Sequence, residues 1–513
     1  MSISRRDVLK SGSALLVAAY AGRPGAVLAQ SAPSTFDYYI SPTGDDNNAG
    51  TLAAPWSITA LNSKGSTYAG KRVGLLPGTY HYGVIGGAQT SLNSMVSSSV
   101  IALKVAGGTS AASTYIGSSD ASGNYSPRTA ILDGSNPTTG AQPTGSGYFM
   151  GQNNPSGNAG YITYDGLIIR NFNYCAIGHG GSPFAFPGLV IQHCEIYNGG
   201  GVPSSNNPGA IFVWKQAPGM RITDCLIHDL TTVAGGANSP WGMAGIMFNQ
   251  DAGTNEGFTA SIDHCSIYHV GQCITTKNNY SNVSVSYCYL ELVNMGIYTG
   301  SAFPFAIYGA QQAPGTTVNF HHNVIIGGIF GHGEDGASNA GAVVATNNTF
   351  YCGPIGGNKP ANGFFAYNNT STASLTFNHN IGWSDGGYDD SGLTGPIGSV
   401  GFSGGGTTAF DYDYYGAGCT FGGAGGSDTS FANWQKAGQD AHSSTMSSTP
   451  FVSTPASLNI ASFIVATKYL TASDGSPCGA LNSSGLAADG SGIVGCSFAS
   501  SAPTPNPPVL SIG

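Results

Sequence analysis

The chain has few side chains with which to do chemistry. Its 513 residues hold 16 Lys and Arg, 25 Asp and Glu, and 11 His. Eight of the histidines fall between His179 and His332, and in the same stretch Lys277 closes the short run Ile274-Thr275-Thr276-Lys277. A lysine amine acts as a base near neutral pH only when burial or a neighbouring cation lowers its pKa. Lys215 and Arg221 are the nearest basic candidates, and arginine's planar fork suits a substrate carboxylate. Asp251, Glu256 and Asp263 flank one loop, and their oxygens are the donor type that Ca²⁺ takes. Glu291 and the pair Glu334-Asp335 are alternative acids for that role. Among these stand Phe212, Trp214, Tyr308 and Phe330, with Asn249 and His332. Aromatic faces beside hydrogen-bonding groups match the two sides of a sugar ring.

These residues need a scaffold, and internal repeats describe one. A pattern of an apolar residue, two mostly polar ones, a small polar one, any residue and an apolar one recurs eight times. Its copies include Ile191-Gln-His-Cys194-Glu-Ile196, Ile222-Thr-Asp-Cys225-Leu-Ile227 and Phe320-His-His-Asn323-Val-Ile325, spaced 23 to 40 residues apart. A second set of short apolar runs lies between the copies, as in Ala210-Ile211-Phe212-Val213-Trp214 and Gly245-Ile246-Met247-Phe248-Asn249. Such runs are too short for helices and rich in β-formers. Two or three short strands per repeat of about 30 residues predict an all-β fold, a single-stranded parallel β-helix of roughly 10–12 rungs. The small polar position then reads as an inward ladder of Asp165, Cys194, Cys225, Cys265, Cys288, Asn323, Asn348 and Asn380, with the cysteines as buried structural thiols. One place earlier stands a turn column of Tyr164, His193, Asp224, His264, Tyr287, His322, Asn347 and His379. In the second set, alternation sends Phe212, Met247, Thr275, Tyr308 and Phe330 outward in one column, and Trp214, Asn249, Lys277 and His332 in another. An exposed aromatic stripe is expected there.

Composition narrows the class. Only 8% of residues are charged and glycine supplies 78, yet 41% are hydrophobic, which is too apolar for disorder. No apolar run reaches the ~18 residues of a membrane span, and the acidic balance argues against nucleic acid. Ser4-Arg5-Arg6-Asp7-Val8-Leu9-Lys10 resembles a twin-arginine export motif, so residues 1–29 are expected to be a cleaved signal that sends the protein to the periplasm or beyond. Its removal leaves 12 basic and 24 acidic residues. Export in the folded state means that ten cysteines need not form five disulfides, although Cys478 and Cys496 could pair after export. The coil with its caps is placed at 36–500, the region 440–500 is expected to cap its C-terminal end, and 501–513 is read as a Pro/Ser-rich tail.

Tyr38-Tyr39-Ile-Ser-Pro-Thr-Gly44-Asp45-Asp46-Asn-Asn-Ala-Gly50-Thr51, then Pro55-Trp56 and Leu76-Pro77-Gly78-Thr79-Tyr80, resemble the opening of secreted right-handed β-helix proteins. Pectate-lyase-like polysaccharide lyases begin in this way. The resemblance implies a right-handed coil and a polysaccharide partner. It further implies β-elimination from a uronate-containing polymer, with Lys277 as base and Ca²⁺ or Arg221 on the carboxylate. The lyases' calcium motif is not recognisable here. Gly331-His332-Gly333 resembles a motif of β-helix hydrolases, whose paired-aspartate motifs are missing. A hydrolase on the same coil and a non-catalytic polysaccharide-binding protein stand as alternatives.

Overall fold

The computed structural model describes residues 35–81, 101–135, 137–138, 148–153, 160–180, 186–200, 209–214, 217–230, 243–249, 259–277, 282–292, 307–308, 317–332, 342–352, 364–369, 374–384, 399–402, 408–416, 419, 421–422, 428–452 and 460–496. Each turn of chain lays one strand in each of three sheets, as Met220–Thr223, Leu226–His228 and Ala244–Asn249 do, followed by Ala260–Asp263, Ser266–Tyr268 and Gln272–Lys277. Like strands pair parallel from rung to rung, giving three twelve-stranded sheets, of which the third ends in one antiparallel strand. The fold is a right-handed parallel β-helix.

The interior is built from the apolar positions of the repeat. Ile191, Ile222 and Ile262 stack in the first sheet, Ile196, Ile227 and Ile267 in the second, and Ile211, Ile246 and Ile274 in the third, all buried. Full burial of each such side chain contributes about 1.5–3 kcal/mol.

The corner between the first and second sheets is two residues long, and both have fixed jobs. The first adopts a left-handed backbone, with φ of 53° at His193, 49° at Asp224, 53° at His264, 55° at His322 and 59° at His379. That region disfavours most side chains but is comparatively open to Asn, Asp and His. Each of these residues donates its N–H to a carbonyl of the next rung, as His193 does to Thr223 at 3.2 Å. Their rings stack, with centroids 5.1 Å apart for His264 and Tyr287 and 5.2 Å for Tyr287 and His322. The second corner residue points inward and forms the ladder. Its members Cys194 through Asn380 stand as expected, but its first member is corrected. Register pairs Asp165 with Gln192, so Leu167 stands opposite Cys194 and Gly166 takes the left-handed place at φ 65°. The ladder also continues past Asn380 to Asp413, which accepts from the Asn380 N–H at 2.6 Å.

All ten cysteines are free and buried. Cys478 lies against the Asn380 and Tyr412 carbonyls, and Cys496 against that of Asp224. Those places are five or six strands apart, about 24–29 Å, whereas a disulfide needs Cα atoms within about 7 Å. The two cannot pair. The helix Phe431–Lys436, capped by Ser430, buries Trp434 at the end of the coil. Residues 471–496 instead run back along the first corner. Gly479 donates to the carbonyl of His379, and Gly495 to that of Tyr287.

Candidate functional site

The third sheet carries the outward columns. Inward Ile211 and Val213 flank outward Phe212, and Trp214 follows at the strand end. Pairing aligns Phe212 with Met247, Thr275 and Tyr308, and Trp214 with Asn249 and Lys277. Ile307 opposite Ile329 puts Tyr308 beside Phe330, and His332 lies opposite Asn369. Trp214, Asn249 and Lys277 are thus the last residues of three successive strands. For Trp214, Asn249, Lys277, Tyr308, Phe330 and His332 the backbone and register are described, and the side chains lie outside the described residues. So do Lys215, Asp251, Glu256, Glu334 and Asp335 entirely.

Phe212 departs from the expected exposed stripe. It is 3% exposed, and with Met247 it packs against Tyr174, Cys175 and Ala244 in a small apolar cluster on the outer face. The Tyr174 ring lies 6.1 Å from that of Phe212. Outward direction did not mean solvent, because neighbouring rungs cover the ring. Thr275 in the same column is also buried, donating its hydroxyl to Gln272 Oε1.

Arg221 and Asp263 meet on the outer face of the first sheet rather than in the third. The guanidinium donates to Asp263 through Nε at 3.2 Å and Nη2 at 3.3 Å. Thr223 Oγ1 donates to the same carboxylate at 2.6 Å, and His264 Nδ1 lies 3.0 Å away. Burial pushes the Asp263 carboxyl up, but His264, Arg221 and Thr223 outweigh it and hold it below the usual range. A carboxylate so filled does not fit as a calcium ligand. Glu291, an alternative acid, is fully buried and faces His269 Nε2 at 3.8 Å. Among the described residues no three His, Cys, Asp or Glu side chains converge to hold a metal.

Two polar clusters were not singled out from sequence. Asp165, completely buried, accepts from Tyr115 and Tyr125 hydroxyls at 2.6 Å each and from Gln192 Nε2 at 2.5 Å, and pairs with His193 Nδ1 at 2.7 Å. On the second sheet, His228 bridges Asp229 at 2.9 Å and Glu195 at 3.4 Å, while His269 Nδ1 lies 2.9 Å from Asp229. Burial lowers both imidazoles, yet the carboxylates win and raise them. Burial lifts Glu291, at the inner end of this chain, to about 7. Reading Asp165 out of the ladder would have revealed the first cluster. The second had no signal beyond histidines at the rung ends.

No protein-family model and no curated protein matches this sequence. Some solved structures are similar to this chain at low overlap. A pectate lyase, Pel9A, superposes at a TM-score of 0.44 with 14% identity, over 73% of this chain and 78% of its own. A rhamnogalacturonan lyase gives 0.42 with 14% identity, over 69% and 83%. A lacto-N-biosidase from Eubacterium ramulus gives 0.42 with 12% identity, over 74% and 63%. Overlaps and identities this low name no reaction for this chain. No helix of the described residues is long and apolar enough to cross a membrane.

Proposed function

We propose that this is an exported polysaccharide lyase that cleaves a uronate-containing polymer by β-elimination, with Lys277 as the base. The observation that carries the reading is the register stacking Trp214, Asn249 and Lys277 at consecutive strand ends, with Tyr308 and Phe330 in the neighbouring column. Rungs about 4.8 Å apart suit a polymer laid along the coil, one sugar spanning roughly one rung. Trp214, Tyr308 and Phe330 hold ring faces, and Asn249 holds hydroxyls. Lys277 removes the proton on the carbon beside the uronate carboxyl. The electron pair forms the new carbon–carbon double bond as the glycosidic carbon–oxygen bond breaks. His332, two rungs further along the same column, returns a proton to the departing oxygen. Arg221 is engaged by Asp263, so any contact it makes with the substrate carboxylate competes with that ion pair. The described residues supply no calcium cage, and no step here passes through one. Residues 1–29, outside the described residues, are the export signal in this reading.

The test is a panel of uronate polymers, with and without chelator, followed by the ultraviolet absorbance of unsaturated products. Wild type should generate that absorbance, and Lys277→Ala should slow it by about 10²–10⁴-fold while polymer binding persists. New reducing ends without absorbance would identify a hydrolase, and binding without turnover a non-catalytic protein.

A further inference from the structure

Among the described residues, one place beside the corner column brings two imidazoles together through the same kind of nitrogen. His321 ends the first-sheet strand Thr317–His321, and His322 takes the left-handed corner position at φ 55°. Their Nδ1 atoms are hydrogen-bonded at 3.1 Å, one ring donating its proton to the other, and the rings are crossed at 88°. A transition-metal ion bound at about 2.0–2.1 Å by two nitrogens separates them by about 2.9–3.4 Å when the angle at the metal is about 90–110°. The observed spacing falls inside that bite, so an ion fits in place of the shared proton, which moves to the Nε2 of the donor ring or to water.

The surroundings fix one of the two rings. Tyr287 stacks on His322 at 5.2 Å and meets His321 edge-on at 5.3 Å. The Tyr287 hydroxyl donates to Asp489 Oδ2 at 2.8 Å, and that same oxygen lies 4.0 Å from His322 Nε2. At 4.0 Å that oxygen makes no hydrogen bond to the ring, but its charge favours the proton on Nε2 and leaves His322 Nδ1 as the lone-pair atom, as outer carboxylates do for metal-bound histidines. Asp489 belongs to the segment 471–496 that runs back along the corner. The flanking rungs place Ser286 and Thr346 opposite His321, and Asn347 opposite His322. Both imidazoles retain some solvent exposure, so an ion can reach them.

We propose that His321 and His322 form a two-imidazole site for a borderline transition-metal ion such as Cu²⁺ or Zn²⁺, with Asp489 as its outer carboxylate. Imidazole nitrogen is the ligand type these ions favour. No third His, Cys, Asp or Glu among the described residues completes a cage, so water takes the remaining positions and the site stays open to exchange. It lies at the first corner, away from the third-sheet column that holds Lys277, and is independent of the lyase reading.

The experiment is titration of the full, untagged, metal-stripped chain with Cu²⁺ by calorimetry, with electron paramagnetic resonance on the one-equivalent complex. Wild type should take up one tight equivalent whose spectrum carries coupling to two imidazole nitrogens. His321→Gln and His321→Ala should each weaken that equivalent by at least about tenfold and leave one nitrogen. Asp489→Asn should weaken it about tenfold while the two-nitrogen spectrum remains. Thermal unfolding of each metal-free variant separates loss of a ligand from loss of fold. The proposal is overturned if wild type binds no tight equivalent, or if both His321 variants fold and bind as wild type does.

Discussion

The two halves of the inward ladder solve one problem with different atoms. In the lower half, Cys225 Sγ points at the Ile191 carbonyl at 3.6 Å, and Cys288 Sγ at that of Ile262 at 3.7 Å. In the upper half, Asn323 Nδ2 donates to Val285 at 2.9 Å, and Asn348 Nδ2 to Phe320 at 2.9 Å. In each case the accepting carbonyl sits three residues before the ladder position of the preceding rung. The other side of the bargain is also shared. Asn348 Oδ1 accepts the Asn323 N–H at 3.1 Å, while the sulfurs of Cys265 and Cys288 receive the N–H groups of Cys225 and Cys265. A thiol is a weak donor and a weak acceptor, whereas an amide is strong at both. Side chains link from rung to rung in both halves, but weakly between the thiols of Cys194, Cys225, Cys265 and Cys288 and strongly between the amides, Asn323 Nδ2 to Asn348 Oδ1 at 3.0 Å and Asn348 Nδ2 to Asn380 Oδ1 at 3.1 Å. The lower half is therefore held mainly by apolar packing, and the upper half by a connected polar network.

The sharpest break of this comparison is Asn348→Ala. It strips partners from the Asn323 N–H, the Asn323 side chain and the Phe320 carbonyl at once, all of them buried. Each orphaned group costs about 1–3 kcal/mol, so a total loss of about 3–5 kcal/mol is expected in denaturant unfolding. Cys225→Ala, at the matching position below, removes one sulfur and only weak contacts, to the Ile191 and Thr223 carbonyls and to the Cys194 and Cys265 thiols. About 1 kcal/mol is expected there, most of it lost packing. Equal losses at the two positions would mean that the thiols carry polar work as the amides do.

What could be read in advance follows the same division. Stacking forces like residues into register, so the ladder from Cys194 to Asn380 and the pairing of Trp214, Asn249 and Lys277 were legible from periodicity alone. The phase failed at Asp165, because Tyr164-Asp165-Gly166 imitates the repeat while Gly166, not Tyr164, holds the left-handed turn. Phe212 failed for another reason: alternation gives a direction, but cover depends on Tyr174 and Met247 from other rungs. Residues 471–496 have no period of their own, since their contacts are to turn carbonyls and to Tyr287, His322 and His379. Placement of Asp263 beside Arg221 likewise needed the lateral offset of two neighbouring strands, which no single repeat displays.

The smallest expected effect lies where the amide half ends. Asp413 occupies the next ladder position, with Oδ1 accepting from Asn380 N at 2.6 Å and Asn380 Nδ2 at 3.1 Å. Its Oδ2 accepts the Tyr415 hydroxyl at 3.1 Å, and Asp440 lies beside it, bonded by Trp434 Nε1 at 2.6 Å and Ser443 Oγ at 2.5 Å. Burial, then the neighbouring Asp440 charge, pushes the Asp413 carboxyl well above its ordinary value of 3.8, so the folded state keeps its proton to higher pH than the unfolded chain does. The unfolded chain ionises this group once the pH passes its ordinary value. Above that pH the folded state holds one proton more, and Asp413 makes stability fall as pH rises. Asn at this position keeps the acceptor oxygen, and its amide can donate towards Asp440 as the acid proton does. Asp413→Asn should therefore change stability by less than about 1 kcal/mol near pH 4. From there upward its unfolding free energy should fall less steeply than wild type's, leaving it at least as stable at pH 7. Parallel profiles for the two proteins would place a charge at Asp413, and the upper half would then end on an ion instead of a group that imitates its own asparagines.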